Sequence, residues 1–180
     1  SGAAGQTSGA GQVGTGATGG TGATGAAGGS MKRADQNILK SMAQAQVNEI
    51  AAARQALDIS KNDNVRKFAQ TMIDDHGKAL TDITTLARNR NVTLPTEPDR
   101  THKAAAAAMQ KMTGDTFDKA YIKQAGVSDH TKVHSMLQKS ANSASDPELK
   151  ALAATLTPTV AAHLDAAKNL QNASGGTAAR

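Results

Sequence analysis

One stretch of sequence decides the fold: residues 64–89 read NVRKFAQTMIDDHGKALTDITTLARN. Apolar side chains recur in it every three or four residues, which is the spacing of one face of an α-helix. The members of this stripe are Val65, Phe68, Ala69, Met72, His76, Leu80, Ile83, Leu86 and Ala87. We therefore predict a helix over residues 64–89 whose buried face carries one imidazole, His76, at its centre.

Three other segments show the same spacing and predict further long helices. They cover about residues 35–60, 115–141 and 147–169. Short links with capping residues join the first helix to the second and the third to the fourth, so each pair is predicted to be an antiparallel hairpin. Pro158 lies within the fourth helix, where we expect a kink.

The connection between the two hairpins is much longer than the links within them. Pro95 and Pro98 stop a helix and favour an extended chain, and the alanine-rich residues 100–112 predict a short extra helix. Two hairpins joined by one long crossover form a ferritin-like four-helix bundle, so the predicted fold class is all-α. We expect residues 91–98 to cross an end of the bundle, so that the second and third long helices run parallel.

The two ends of the chain differ in composition from the predicted bundle. Residues 1–30 contain 12 of the 17 glycines and no charged side chain, which predicts a disordered tail. The predicted organisation is thus a tail over 1–30, a bundle over 31–173 and a frayed end over 174–180. The sequence begins at Ser1, so we expect a processed form from which a signal peptide is absent.

Composition excludes several classes of protein. The absence of cysteine excludes disulfides and thiolate metal sites. One Tyr and two Phe are too few to stack nucleic-acid bases, and the net charge of +5 is dispersed among acids, so no nucleic-acid partner is expected. No apolar run approaches the ~20 residues of a membrane-spanning helix.

Polar side chains interrupt the stripes where a bundle core should be apolar. Glu49, His76 and His163 occupy such positions at similar heights on three helices. A buried carboxylate or imidazole is costly unless it is paired or bound to metal. On the third long helix, periodicity favours Asp129, whereas ligand chemistry favours His130, and both remain candidates.

One carboxylate and two or three imidazoles at mid-bundle suit a divalent transition metal, Zn²⁺ or Fe²⁺. The alternative is a polar network that is hydrogen-bonded across the helices without metal. A di-iron site would need Glu three residues before two of the histidines, but Ile73 and Val160 stand there, which disfavours ferroxidase chemistry. His102 and His134 are interpreted as surface residues.

Several short stretches carry a resemblance to a known family. They are FAQTMIDDH at 68–76, VTLP at 92–95, GDTFDKAY at 114–121, SDH at 128–130, and LTP at 156–158 followed by His163. Over about residues 35–170 the sequence resembles the DUF4142 family. The resemblance implies a ferritin-like bundle in a bacterial extracytoplasmic space such as the periplasm, often behind a signal peptide and a low-complexity linker, but it implies no reaction.

The resemblance also implies a set of recurrent positions. They map to Glu49, Asp75, His76, Phe117, Asp118, Tyr121, His130 and His163. This mapping supports His130 as the residue contributed by the third long helix.

The expected site therefore has four metal ligands, one from each long helix. These ligands are Glu49, His76, His130 and His163, which would complete a tetrahedral shell. Three further residues are expected around the shell or as alternative ligands, namely Asp75, Asp129 and Tyr121. The predicted function is an extracytoplasmic metal-binding bundle with a metal ion as partner and no catalytic residue. The alternatives are a structural or interaction module of the cell envelope, and a redox enzyme built on a metal centre.

Overall fold

The computed structural model describes residues 30–176, and every regular element in that part of the chain is helical. The predicted disordered tail falls on residues 1–30 and lies outside the described residues except for Ser30. Residues 177–180 lie outside them as well. No helix in the described part is both long and apolar enough to span a membrane.

The helices match the predicted segments closely. They are α1 (Arg33–Ile59), α2 (Asp63–Asn89), the short α3 (Arg100–Met109), α4 (Gly114–Tyr121), a π-helix (Ile122–Asp129), α5 (His130–Ser143) and α6 (Pro147–Gly176). The run from α4 through the π-helix to α5 is the predicted third long helix. Pro158 lies inside α6, which continues beyond the predicted end near residue 169.

Side-chain caps fix the two hairpin turns. The Asn62 side chain accepts hydrogen bonds from the backbone N–H groups of Asn64 and Val65, so it starts α2 directly after α1. At the other end of the bundle, the Asp35 carboxylate accepts from the backbone N–H groups of Ser145 and Asp146. This contact ties the turn between α5 and α6 to the start of α1.

The crossover takes a different path from the one predicted. Three amides of α1 mark its course: Gln44 donates to Glu97 O at 2.9 Å, Asn48 to the Asp99 carboxylate at 2.9 Å, and Gln55 to Ala106 O at 2.8 Å. The expectation that residues 91–98 cross an end of the bundle is therefore wrong, because the extended, proline-containing link lies along the flank of α1.

The direction of the third long helix is nevertheless as predicted. The crossover returns the chain to the end where α2 begins, and a shallow cavity there is lined by both Asn64 and Asp115. From this end, α2 and the α4–α5 run both proceed toward the end marked by Asp35 and Ser145. The two helices are therefore parallel, and the all-α, ferritin-like bundle with a helix in its crossover is confirmed.

The hydrophobic core is divided into two clusters. One cluster includes Leu39, Met42, Ile83, Leu137 and Leu149, and the other includes Phe68, Met72, Phe117, Tyr121 and Ile122. On each long helix, a buried polar residue falls between members of the two clusters, namely Glu49, His76, His130 and His163. The bundle thus has a polar layer at its middle with apolar packing on both sides.

Candidate metal centre

Three histidines from three helices meet in this polar layer. His76 comes from α2, His130 is the first residue of α5 and His163 comes from α6; their exposed fractions are 3%, 1% and 5%. One ring nitrogen of each lies within 4.8 Å of the other two. The ring centroids are 5.1, 5.3 and 5.4 Å apart, so the imidazoles surround one point almost symmetrically.

The second nitrogen of each ring is engaged by an oxygen outside the group. His130 Nδ1–H donates to Ala125 O at 2.7 Å, His76 Nδ1–H to Gln46 Oε1 at 2.7 Å, and His163 Nε2–H to Asp75 Oδ2 at 2.8 Å. Carbonyl and carboxylate oxygens only accept, so these contacts place the proton on the outer nitrogen. The inner nitrogen of each neutral ring therefore carries a lone pair.

These lone pairs face one another in a buried space. The Nε2 atoms of His76 and His130 are 3.2 Å apart, and His163 Nδ1 is buried without a hydrogen-bond partner among residues 30–176. Burial lowers the pKa of His76 well below its usual value, and the neighbouring His130 and His163 lower it further. Burial also lowers the pKa of His130 to about 4, so this imidazole is neutral at neutral pH.

The spacing suits a common metal ion. Two nitrogens that bind one tetrahedral metal at 2.0–2.1 Å each lie about 3.3 Å apart. The observed separation of 3.2 Å between the Nε2 atoms of His76 and His130 agrees with this value. Outer N–H groups held by a carboxylate or a carbonyl are also the usual surroundings of metal-binding imidazoles.

The π-helix explains why periodicity alone pointed to Asp129. A regular spacing of 3.6 residues per turn does not hold across Ile122–Asp129, where the turns are wider. His130 consequently faces the other two histidines. Asp129 faces the crossover, where its carboxylate lies 3.2 Å from His102 Nε2 and accepts from Gln124 at 3.1 Å.

The Glu49 carboxyl does not lie among the inner nitrogens of the three histidines. Its Oε2 atom is 3.9 Å from His130 Nδ1, the outer nitrogen, so the carboxyl lies behind that ring. Burial raises the pKa of Glu49 well above its usual value, and the nearby Asp129 raises it further. The raised pKa favours the protonated form of this carboxyl, and three of the four predicted ligands, His76, His130 and His163, come together.

Tyr121 lies on the Glu49 side and not among the three imidazoles. Its ring stacks on Phe117 with centroids 6.2 Å apart and meets Phe68 edge-on at the same distance. Its hydroxyl has no hydrogen-bond partner within the described residues. Burial raises the pKa of Tyr121, and so does the proximity of Glu49. Asp118, one turn earlier, is also buried.

Two residues have roles that the sequence analysis did not assign. Gln46 is 1% exposed and holds the His76 ring, while its own amide group donates to Met42 O. Its position inside the apolar stripe of α1 was the available signal. His102, interpreted as a surface residue, is half-buried, and its ring contacts the carboxylates of Asp99 and Asp129. His102 belongs to the crossover helix α3, and periodicity could not show that it meets Asp129.

Comparison with known proteins supports the fold and leaves the function open. A family model described as a domain of unknown function, DUF4142, matches residues 20–170. No curated protein matches. A DUF305 fragment from Deinococcus radiodurans superposes with a TM-score of 0.71 at 12% identity, covering 80% of this chain and 99% of that one.

Two structures of a protein named CopM are also similar. The Cu(II)-bound form has a TM-score of 0.64 and covers 77% of this chain and 95% of that one; the Cu(I)-bound form has 0.62, with 75% and 93% covered. Both are 18% identical to this chain. At this level of identity, the likeness shows a shared helical-bundle fold.

Proposed function

This chain belongs to the DUF4142 family, and we propose that it binds one transition-metal ion through His76, His130 and His163. One observation carries the proposal: the Nε2 atoms of His76 and His130 face each other at 3.2 Å inside the bundle, while an oxygen holds the Nδ1 atom of each ring. Without a cation between them, the lone pairs repel and neither has a donor, which is costly in a buried site. A metal ion removes both costs.

The donor set narrows the choice of metal. Three neutral imidazoles suit Zn²⁺, Cu²⁺, Fe²⁺ and Ni²⁺, and Cu²⁺ binds nitrogen donors more tightly than the other divalent ions of this series. The sequence alone favoured Zn²⁺ or Fe²⁺. The likeness to the copper-bound CopM structures adds copper, and we place Cu²⁺ and Zn²⁺ first.

We infer an extracytoplasmic location for this site, resting on the family resemblance given above. A competing metal-free role, as a structural or interaction module with a polar network, would use the same outer hydrogen bonds. It would leave the inner nitrogens of the three histidines without partners.

Metal content separates the two functions. The full chain is purified without an affinity tag, stripped with chelator, incubated with Zn²⁺ or Cu²⁺, desalted and analysed by mass spectrometry for metal. We expect about one ion per chain in the wild type and almost none in His76→Ala, because losing one of three ligands destroys the site.

His134→Ala is the matched control. His134 is half-buried on α5, one turn beyond His130, and lies outside the group of three histidines. This variant should retain the wild-type metal content. Equal metal content in His76→Ala and the wild type would overturn the proposal and leave the metal-free polar network.

A further inference from the structure

The three imidazoles leave a bound metal short of ligands. Closed structural sites supply four protein ligands, whereas sites with three keep a position for water or another small molecule. Within residues 30–176, the potential ligand group around the inner nitrogens contains three members. The nearby carboxyl of Glu49 lies behind His130 and next to its outer nitrogen.

A cleft between α2 and α6 opens to solvent beside two of the three histidines. His76 and His163 line it, together with Ala79, Val160 and Thr159. Its volume is about 150 Å³, which corresponds to about five water molecules at ~30 Å³ each. A small molecule of a few heavy atoms fits this volume, whereas a protein segment does not.

Charge determines which small molecules the cleft would favour. Three neutral imidazoles leave the full charge of a divalent ion in place, and the Asp75 carboxylate, held by His163, offsets only part of it. Lys78 and Asp82 also line the cleft, and their opposite charges offset each other. An anion that binds the ion would therefore reduce the remaining buried charge.

Resting on the proposed function, we propose that the metal keeps one coordination position open to the α2–α6 cleft and that a small monodentate anion binds there. The anion enters between Thr159 and Ala79 and reaches the ion along the edge formed by His76 and His163. The site is thus a metal centre with an exchangeable ligand.

Azide is the probe, and the Cu²⁺-loaded full chain is the sample. A saturable azide-to-copper absorption band is expected in the wild type. Ala79→Leu and Thr159→Leu fill the cleft from opposite walls and should weaken azide binding by about tenfold or more, equivalent to about 1.4 kcal/mol, while Cu²⁺ remains bound. Thr159 is exposed, so its variant remains informative if Ala79→Leu does not fold.

Thr84→Leu is the matched control, because Thr84 lies on α2 but lines a different cavity with Val47 and Leu80. It should bind azide like the wild type. A copper-loaded protein with no azide band, or equal azide affinity in the cleft-filling variants and the wild type, would overturn the open position. Failure of the wild type to bind Cu²⁺ or Zn²⁺ would instead overturn the proposed function.

Discussion

Asp75 shows how one residue outside the histidine group can control the strength of metal binding. Its carboxylate accepts from His163 Nε2 at 2.8 Å, which directs Nδ1 of that ring inward and makes it more basic. We expect Asp75→Asn to weaken metal affinity by about 10–100-fold, the usual effect of losing such a partner. Competition with a chelator of known affinity measures it.

The neighbouring acid supplies the control for this prediction. Asp74 is exposed, and its carboxylate accepts from Gln70 on the surface of α2. Asp74→Asn makes the same change of charge one residue away and should leave the affinity unchanged. Equal losses in the two variants would show that general charge, and not the Asp75–His163 hydrogen bond, sets the affinity.

A substitution of Glu49 tests whether its buried carboxyl binds the metal or only lies next to His130. The pKa of Glu49 is raised in the folded state, so the folded chain keeps the Glu49 proton to a higher pH than the unfolded chain does. Its stabilising contribution is complete below pH ~4.5 and is lost as pH rises toward the folded-state pKa. Glu49→Gln replaces the ionisable carboxyl by a permanently neutral amide and should raise the free energy of unfolding at pH 7.

Urea denaturation at pH 7 and pH 4 measures this effect, and little or no gain is expected at pH 4. Metal content should be unchanged in Glu49→Gln, because the carboxyl lies beside the outer nitrogen of His130. Loss of metal in this variant would instead support the four-ligand shell expected from the sequence.

The π-helix and α6 approach each other closely near the site. A Cβ atom added at Gly126 would lie 2.9 Å from Ala167 Cβ, four residues from His163. Gly126→Ala should therefore push the two helices apart, lower stability by about 1–3 kcal/mol and weaken metal binding. Urea unfolding and chelator competition on the same samples measure both effects.

Gly77→Ala provides a contrast within the bundle. Gly77 is a helical residue of α2 next to His76, and a Cβ atom added there meets nothing within 4 Å. This variant should gain about 0.4–1 kcal/mol from reduced freedom of the unfolded chain and should bind metal normally. A similar loss of stability at both glycines would contradict the close approach at Gly126.

The helices differ in how well their sequences predict them. A sustained stripe of more than 20 residues predicts α2 nearly to its ends, because burial of one face dominates local preferences. The same reasoning places His76 and His163 inside the bundle. It could not decide between Asp129 and His130, because a π-helix changes the spacing of the buried positions. No characteristic amino-acid composition identifies a π-helix in a sequence.

At the scale of the whole molecule, the lengths of the links predict the topology, whereas the path of the crossover depends on contacts far apart in sequence. Gln44 and Glu97 are one such pair. Glu49 was predicted to be a ligand because its position along the bundle axis is similar to that of His76. The position along the bundle axis does not reveal that Gln46 contacts His76, whereas Glu49 lies behind the ring of His130.

The polar layer makes the stability of the metal-free bundle depend on pH. The unfolded imidazole of His130 binds a proton near pH 6.5, but the folded one does so only near pH 4. Between these values, the unfolded chain holds more protons, so stability falls as pH falls. His130 alone should contribute a loss of roughly 3 kcal/mol over this range, and His76 acts in the same direction.

Unfolding in chelator from pH 7 to pH 4 measures this dependence. The Glu49→Gln protein is the appropriate background, because the opposite titration of Glu49 is then absent. Adding His130→Gln to it should make the pH dependence shallower. An unchanged dependence would show that His130 is not held neutral by burial.

The measurement that tests the central claim most directly is an anomalous difference map of the full protein, crystallised with Zn²⁺ or Cu²⁺ and recorded at the metal's absorption edge. We predict one strong peak about 2.0–2.1 Å from His76 Nε2, His130 Nε2 and His163 Nδ1. A metal-saturated crystal with no peak among these three nitrogens, or with its peak at Glu49 and Asp129, would contradict the account.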